Sequence, residues 1–143
     1  MNNNDNDRYN IQRFIDAQKG IYEFALQEIK NGEKRSHWMW FIFPQLKSLG
    51  RSEMSEYYRI SGKEEAIEYF NNPILRNRYL EFCHTLLTLK NDNPFEIFGF
   101  VDSLKLQSSL TLFYLSTSEK VILDVLNKFF DGRFCKKTVE MIQ

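Results

Sequence analysis

The sequence has no net charge and contains few of the residues that hold metals or form disulfides. Among its 143 residues there are two cysteines and two histidines, and 19 lysines and arginines balance 19 aspartates and glutamates. A balanced charge provides no overall attraction to a polyanion or to an anionic lipid surface. We therefore expect neither extended nucleic acid nor a membrane as a partner, and any anion site must be local.

Motifs for metal, disulfide or dinucleotide chemistry are also missing. His37 and His84 belong to no His-x-x-x-His pair, and Cys83 and Cys135 form no Cys-x-x-Cys motif. No glycine-rich phosphate loop is present. These absences predict that the protein binds no metal and no cofactor. Two isolated cysteines in a chain without a secretory signal pattern indicate free thiols and a cytoplasmic location.

Long apolar runs are absent as well. The longest, Trp38–Phe43, is far below the ~20 residues that span a bilayer. The first residues are polar and rich in asparagine. We expect residues 1–9 to form a flexible polar tail and residues 10–143 to form a single domain, because this length suits one hydrophobic core.

Aromatic residues, in contrast, are abundant, with 13 phenylalanines and seven tyrosines. Apolar residues recur at three-and-four spacing, and no segment shows the strict alternation of a half-buried strand. The pattern predicts an all-α fold, a single compact multihelical domain of about six to eight short helices. One helix is predicted over residues 10–30, with Gly20 as a candidate interruption.

Polar residues predict where several helices begin. Ser61 with Glu64 three residues later matches a capping box. Pro73 follows two asparagines and stands at a favoured first helical position. Asp102 or Ser103 is predicted to cap the helix that follows.

One stretch, Lys34–Gln45 (KRSHWMWFIFPQ), stands out and is called the aromatic segment below. It holds both tryptophans of the chain. Burial of an aromatic side chain contributes on the order of a few kcal/mol, so the segment should be fixed in the core with its polar leading edge at a cleft. Ser36 is predicted to cap a helix that begins at His37 and ends or kinks at Pro44.

Several segments occur in an order that is specific to one family. They are QRFIDAQ at 12–18, the aromatic segment, LGRS at 49–52, IFG at 97–99, KLQSSLTLF at 105–113 and FFDGR at 129–133. Together they resemble the bacterial family catalogued as domain of unknown function 1810, over nearly the whole chain from Gln12. The resemblance implies a small multihelical fold of bacterial or phage origin and no settled activity. A calpastatin-like label sometimes given to such sequences does not fit, because calpastatin is a disordered repeat protein.

Cations in two of these segments point to an anion site. Lys34 and Arg35 precede the predicted helix start, where free backbone N–H groups also attract anions. Lys105, Ser108 and Ser109 are spaced i, i+3 and i+4, so one helical face would present an ammonium and two hydroxyls to phosphate oxygens. The alternatives are a solvated loop for the first pair and close helix packing for the serines.

The aromatic segment supplies the other candidates. His37 is the candidate acid–base group, because an imidazole titrates near neutral pH; alternatively it is bonded only to backbone or water. Trp38 or Trp40 could stack on a ring, although burial of at least one is expected. Gln45 could contact a polar ligand edge or cap the helix end.

The leading hypothesis is a protein that binds an anionic, phosphate-bearing, nucleotide-like small molecule in a cleft between the aromatic segment and KLQSSLTLF. Lys34, Arg35 and Lys105 would supply charge, and Ser36, Gln45, Ser108 and Ser109 would supply hydrogen bonds. One alternative is a hydrolase or transferase with His37 as acid and base. The other is a protein–protein interaction module or homo-oligomer that uses the aromatic segment.

Overall fold

The described part of the computed structural model covers residues 7–46 and 51–142 and consists of helices joined by turns and loops. The helices are α1 Gln12–Gln18, α2 Tyr22–Lys30, α3 Met39–Ile42, α4 Glu53–Tyr57, α5 Lys63–Asn71, α6 Pro73–Thr88, α7 Pro94–Phe98, α8 Phe100–Thr117, α9 Lys120–Phe130 and α10 Lys136–Ile142. Within these residues the only β pairing is one bridge between Leu46 and Ile60. The all-α prediction is confirmed.

Two glycines divide what could have been longer helices. Gly20 has a φ of +80° and separates α1 from α2, and Gly99 has a φ of +80° and separates α7 from α8. Residues with a side chain rarely adopt this conformation, so glycine is required at both corners. Breaks of this kind explain why the described residues contain ten helices, more than the sequence pattern predicted.

Several helix starts differ from the prediction. The predicted cap of α5 was Ser61, but Gly62 occupies the cap position and the Ser61 hydroxyl donates to Glu65 Oε1 at 2.8 Å. Neither Asp102 nor Ser103 caps α8, which already begins at Phe100. The start at Pro73 is as predicted, with Asn72 Oδ1 accepting from Ile74 N at 3.0 Å and Leu75 N at 3.2 Å.

The predicted start of α3 is also wrong. This helix runs only from Met39 to Ile42, with Trp38 and not Ser36 at its cap position. The Ser36 side chain is engaged elsewhere, because its hydroxyl donates to Glu28 Oε2 at 2.7 Å. His37 therefore lies in a loop before the helix and not in its first turn.

The core is a cluster of aromatic rings around α8, which contacts α3, α5, α7, α9 and α10. Tyr79 lies at its centre, and its ring centroid is 4.9 Å from that of Phe113 and 5.3 Å from that of Phe43. Phe43 belongs to the aromatic segment and connects it to this cluster, because its ring contacts both Tyr79 and Trp38. The expected burial of the segment's apolar residues is confirmed, and it fixes the neighbouring polar loop in place.

The predicted polar tail falls mainly outside the described residues, which begin at residue 7. Asp7 contacts the domain, because its carboxylate accepts hydrogen bonds from the backbone N–H groups of Ile11 at 2.7 Å and Gln12 at 2.9 Å.

Among the helices described, none combines the length and apolar character that crossing a bilayer demands.

Candidate functional site

A buried glutamate of α2 shapes the loop that carries the candidate site. Glu28 Oε1 accepts from the backbone N–H of Arg35 at 3.0 Å, the backbone N–H of Ser36 at 3.1 Å and the indole N–H of Trp38 at 2.9 Å. Its other oxygen accepts from the Ser36 hydroxyl. A single carboxylate therefore accepts hydrogen bonds from loop positions 35, 36 and 38 and holds the loop against α2.

These hydrogen bonds stabilise the ionised form of Glu28. Burial would by itself raise the pKa of its carboxyl, but donation from Ser36, Arg35 and Trp38 outweighs burial and lowers the pKa from 4.5 to about 2. Glu28 is therefore ionised at neutral pH, and it directs the Trp38 indole into the core.

Two lysines meet at one aspartate next to this loop. Lys34 Nζ is 2.6 Å from Asp102 Oδ2, and Lys105 Nζ is 3.5 Å from Asp102 Oδ1. The Lys34 side chain is only 5% exposed, whereas that of Lys105 is 22% exposed. Lys34 also donates to the Ser36 carbonyl oxygen. The three ions carry a net charge of plus one.

Each lysine lies over a tryptophan. Lys34 Nζ is 4.9 Å from the Trp38 ring centroid and Lys105 Nζ is 4.7 Å from the Trp40 ring centroid. The faces of aromatic rings attract cations. Trp38 is fully buried, whereas Trp40 is partly exposed. The predicted burial of at least one tryptophan is thus confirmed, and it is Trp38.

These groups line a cleft of about 410 Å³ between the aromatic segment and the corner where α7 meets α8. Its walls are formed by Lys34, His37, Trp38, Met39, Trp40, Phe98, Gly99, Phe100, Val101, Asp102 and Lys105. The volume lies within the range of small-molecule sites. The cleft combines two ammonium groups, one carboxylate, an imidazole and an apolar rim.

The structure brings together five of the residues predicted from the sequence. Lys34, His37, Trp38, Trp40 and Lys105 all line this cleft, and His37 is exposed to solvent. The predicted meeting of the aromatic segment with α8 is therefore present at Lys105.

Two residues of the loop point away from the cleft. Arg35 donates through Nε to Glu33 Oε1 at 2.6 Å, and its side chain is 78% exposed. Ser36 is bound to Glu28 as described above. Neither lines the cleft.

The serines of α8 and Gln45 also lie elsewhere. The Ser108 hydroxyl is buried and donates to Cys135 Sγ at 3.3 Å, and the Ser109 hydroxyl is 2.9 Å from the Tyr79 hydroxyl in the core. Gln45 lines a separate small depression beside Tyr58 and Arg59. The close-packing alternative therefore describes the environment of both serines.

Sequence reasoning missed two residues that organise the site. Asp102 was predicted as a helix cap and not as an ion-pair partner, although its i, i+3 spacing with Lys105 was a signal for an ion pair. Glu28 shares the buried face of α2 with Ala25 and Ile29. An acid on the apolar face of a helix is a signal for a buried polar network.

Within the ranges 7–46 and 51–142, no three histidine, cysteine or acidic side chains are grouped in a way that could hold a metal ion. Cys83 and Cys135 are free thiols. Burial raises the pKa of the Cys83 thiol well above its usual value. Neither cysteine lines the cleft.

These features define a small all-α domain with a cleft lined by lysine and tryptophan. The chain belongs to the family described as "Protein of unknown function (DUF1810)", whose model matches residues 8–142. The resemblance found in the sequence is thereby confirmed. A crystal structure similar to the chain is that of the conserved hypothetical protein Rv1873 from Mycobacterium tuberculosis. It is 38% identical, with a TM-score of 0.90, over 92% of this chain and 95% of that chain. A search of curated proteins finds no match.

Proposed function

We propose that the cleft binds a small anionic molecule that carries a phosphate and a flat ring, as a nucleotide does. The observation that carries this proposal is the convergence of Lys34 and Lys105, from two distant segments, on the wall of one cleft. A concave site with clustered charge and an apolar rim is a typical small-molecule site. The net positive charge of the ion cluster selects an anion.

The two lysines have different roles in this proposal. Lys105 is the direct contact, because it is the more exposed and its 3.5 Å contact with Asp102 is long for an ion pair. A ligand phosphate can therefore replace Asp102 at Lys105 at a modest cost. Lys34 is nearly buried and is already bound to Asp102 and Ser36. It holds Asp102 in place and, from its buried position in the wall, makes the electrostatic potential in the cleft more positive.

The proposed ligand site is narrower than the sequence hypothesis. It consists of Lys34, His37, Trp40, Asp102 and Lys105. Arg35, Ser36, Gln45, Ser108 and Ser109 are left out, because their side chains are bound elsewhere or lie outside the cleft. Trp38 supports Lys34 from within the core.

The first experiment is native mass spectrometry of protein purified from cells, followed by a thermal-shift panel of mononucleotides, ribose 5-phosphate and inorganic phosphate. A ligand present at 100 times its Kd stabilises the folded state by about 2.7 kcal/mol, which raises the Tm of a domain of this size by roughly 5–10 °C. We expect at least one mononucleotide to produce such a shift.

The matched variants are Lys105→Ala and Lys120→Ala. Lys120 is a helical lysine that pairs with Asp124 at 3.0 Å and does not line the cleft. Lys105→Ala should abolish the thermal shift, and Lys120→Ala should preserve it. The proposal should be dropped if no anion raises the Tm of the wild type, or if both variants respond as the wild type does.

One observation favours a second candidate function, a hydrolase or transferase that acts on the same ligand. His37 is solvent-exposed and lines the cleft, where a general acid or base would be needed. For this function His37→Ala should abolish turnover and leave affinity for the ligand nearly unchanged. Loss of affinity without loss of turnover would contradict it.

The interaction-module alternative has less support, because most aromatic side chains of the aromatic segment are buried in the core of the domain. Trp38, Phe41 and Phe43 are buried among residues of the same molecule, so they are not available to a protein partner. A cytoplasmic location and a bacterial or phage origin stay predictions from the sequence.

A further inference from the structure

Two apolar side chains at the start of α8 are exposed at the rim of the cleft. Phe100 is 67% exposed and Val101 is 62% exposed. Both line the cleft. Exposed apolar groups that border a concave polar site mark a place where a ligand covers them.

The Phe100 ring is held in position. It stacks on Phe95 with the centroids 5.7 Å apart and an interplanar angle of 14°. The backbone between them turns at Gly99, whose N–H donates to the Phe95 carbonyl oxygen at 2.9 Å. Phe95 does not line the cleft; it lines a neighbouring groove together with Arg35 and Glu96, so the Phe100 ring stands between the cleft and this groove. An ordered ring binds a planar ligand with little loss of entropy.

The tryptophans of the cleft are less suited to stacking than the sequence suggested. Trp38 is fully buried and Lys34 lies over its ring. Lys105 lies over the ring of Trp40. An ammonium already occupies a face of each indole, whereas the ring contact of Phe100 is with Phe95 on the side of the other groove.

We propose that Phe100 is the surface on which the planar ring of the ligand stacks, while Lys105 binds its anionic end. This inference rests on the proposed function and names a ring-binding residue for the same site. It divides the cleft into an anion end at Lys105 and an aromatic end at Phe100. The class of ligand is then a ring-bearing phosphate, in preference to a sugar phosphate without a ring.

The experiment compares the affinities of AMP and ribose 5-phosphate, which share the phosphate and the sugar and differ in the base. Affinities are measured by titration calorimetry for the wild type, Phe100→Ala, Phe100→Leu and Phe24→Ala. Phe24 is the matched control, because it is 59% exposed on α2 and does not line the cleft. Phe100→Leu keeps the apolar bulk and removes the flat ring.

Stacking of a base on an aromatic side chain predicts that the wild type prefers AMP by about tenfold. Phe100→Ala and Phe100→Leu should lose most of this preference and keep their affinity for ribose 5-phosphate, and Phe24→Ala should keep both. A preference for AMP that survives in both Phe100 variants would overturn the assignment of Phe100 and leave the anion site standing. If the wild type binds neither compound, nor any other anion, the proposed function fails and this inference fails with it.

Discussion

The charge of Glu28 should stabilise the fold in a way that depends on pH. The perturbation is Glu28→Gln, which keeps the side-chain shape and one oxygen acceptor and removes the negative charge. In the native protein the charged carboxylate accepts hydrogen bonds from Arg35, Ser36 and Trp38. Hydrogen bonds to an ionised group are stronger than those to a neutral one. The substitution should therefore destabilise the fold and loosen the loop beside the cleft.

The magnitude follows from the pKa. A decrease from 4.5 to about 2 corresponds to about 3 kcal/mol at neutral pH if it is fully realised. Because residues 35–37 of the loop that covers Glu28 are themselves partly or fully exposed, water screens part of this interaction, and we expect about 1–2 kcal/mol. Glu28→Ala should cost more, since it also leaves the buried indole N–H of Trp38 without its acceptor.

The sign of the pH dependence is fixed by the direction of the shift. The folded state holds the Glu28 pKa below that of the unfolded chain, so its stabilisation is complete above about pH 5 and declines as the pH falls towards 2. Urea unfolding of the wild type and Glu28→Gln, followed by tryptophan fluorescence, should show a difference in the free energy of unfolding that shrinks by more than half between pH 7 and pH 3.

The control is Glu23→Gln, an exposed glutamate on the same helix. It should change the free energy of unfolding by less than about 0.5 kcal/mol at pH 7. If Glu28→Gln is as stable as Glu23→Gln at pH 7, the Glu28 charge does not stabilise the fold. A difference between the wild type and Glu28→Gln that stays constant down to pH 3 would likewise show that ionisation of Glu28 is not its source.

Three further predictions concern the fold and the ion cluster. Arg13→Ala should cost about 3–5 kcal/mol in urea unfolding, because the buried guanidinium pairs with Glu65 at 2.8 Å and its loss leaves that carboxylate unpaired; a loss below about 1 kcal/mol would contradict this. Gly99→Ala should lower the free energy of unfolding by about 1–3 kcal/mol through backbone strain alone. Gly62→Ala is the control and should lower it much less, because Gly62 has an extended φ of 170°. Equal losses of stability in the two variants would show that strain is not the cause. Asp102→Asn should tighten AMP binding by about fivefold, because it removes the carboxylate that competes with the phosphate for Lys105. Weaker AMP binding in calorimetry would contradict the idea that the ligand phosphate replaces Asp102 at Lys105.

Local sequence signals predicted the fold class and several helix boundaries. The asparagine–proline start of α6 was identified because a side-chain cap and a proline at the first position act through neighbouring residues alone. The same signals failed at Ser61 and Ser36, where the hydroxyls bind carboxylates of other helical positions, Glu65 and Glu28. These carboxylates compete with the backbone N–H groups for the serine hydroxyl, and the sequence does not reveal which partner the hydroxyl binds.

The candidate site was predictable where it depends on one segment and not where it depends on packing. Lys34 and His37 lie together because they share a loop, and this was visible from the sequence. Ser108 and Ser109 follow Lys105 at helical spacing, but the neighbours of α8 cover both serines and leave only the lysine at the cleft. The part played by Asp102 required the fold, because its partner Lys34 is distant in sequence.

The central claim is that an anionic ligand with a ring occupies the cleft beside Lys105 and Trp40. The chain has two tryptophans, so a proton–nitrogen correlation spectrum contains two indole N–H signals, and Trp40→Phe identifies which one belongs to Trp40. Titration with AMP should shift the Trp40 signal in the wild type and in Lys120→Ala, and should leave it in place in Lys105→Ala. The claim is contradicted if neither indole signal of the wild type moves at millimolar AMP, or if Lys105→Ala shows the same shift as the wild type.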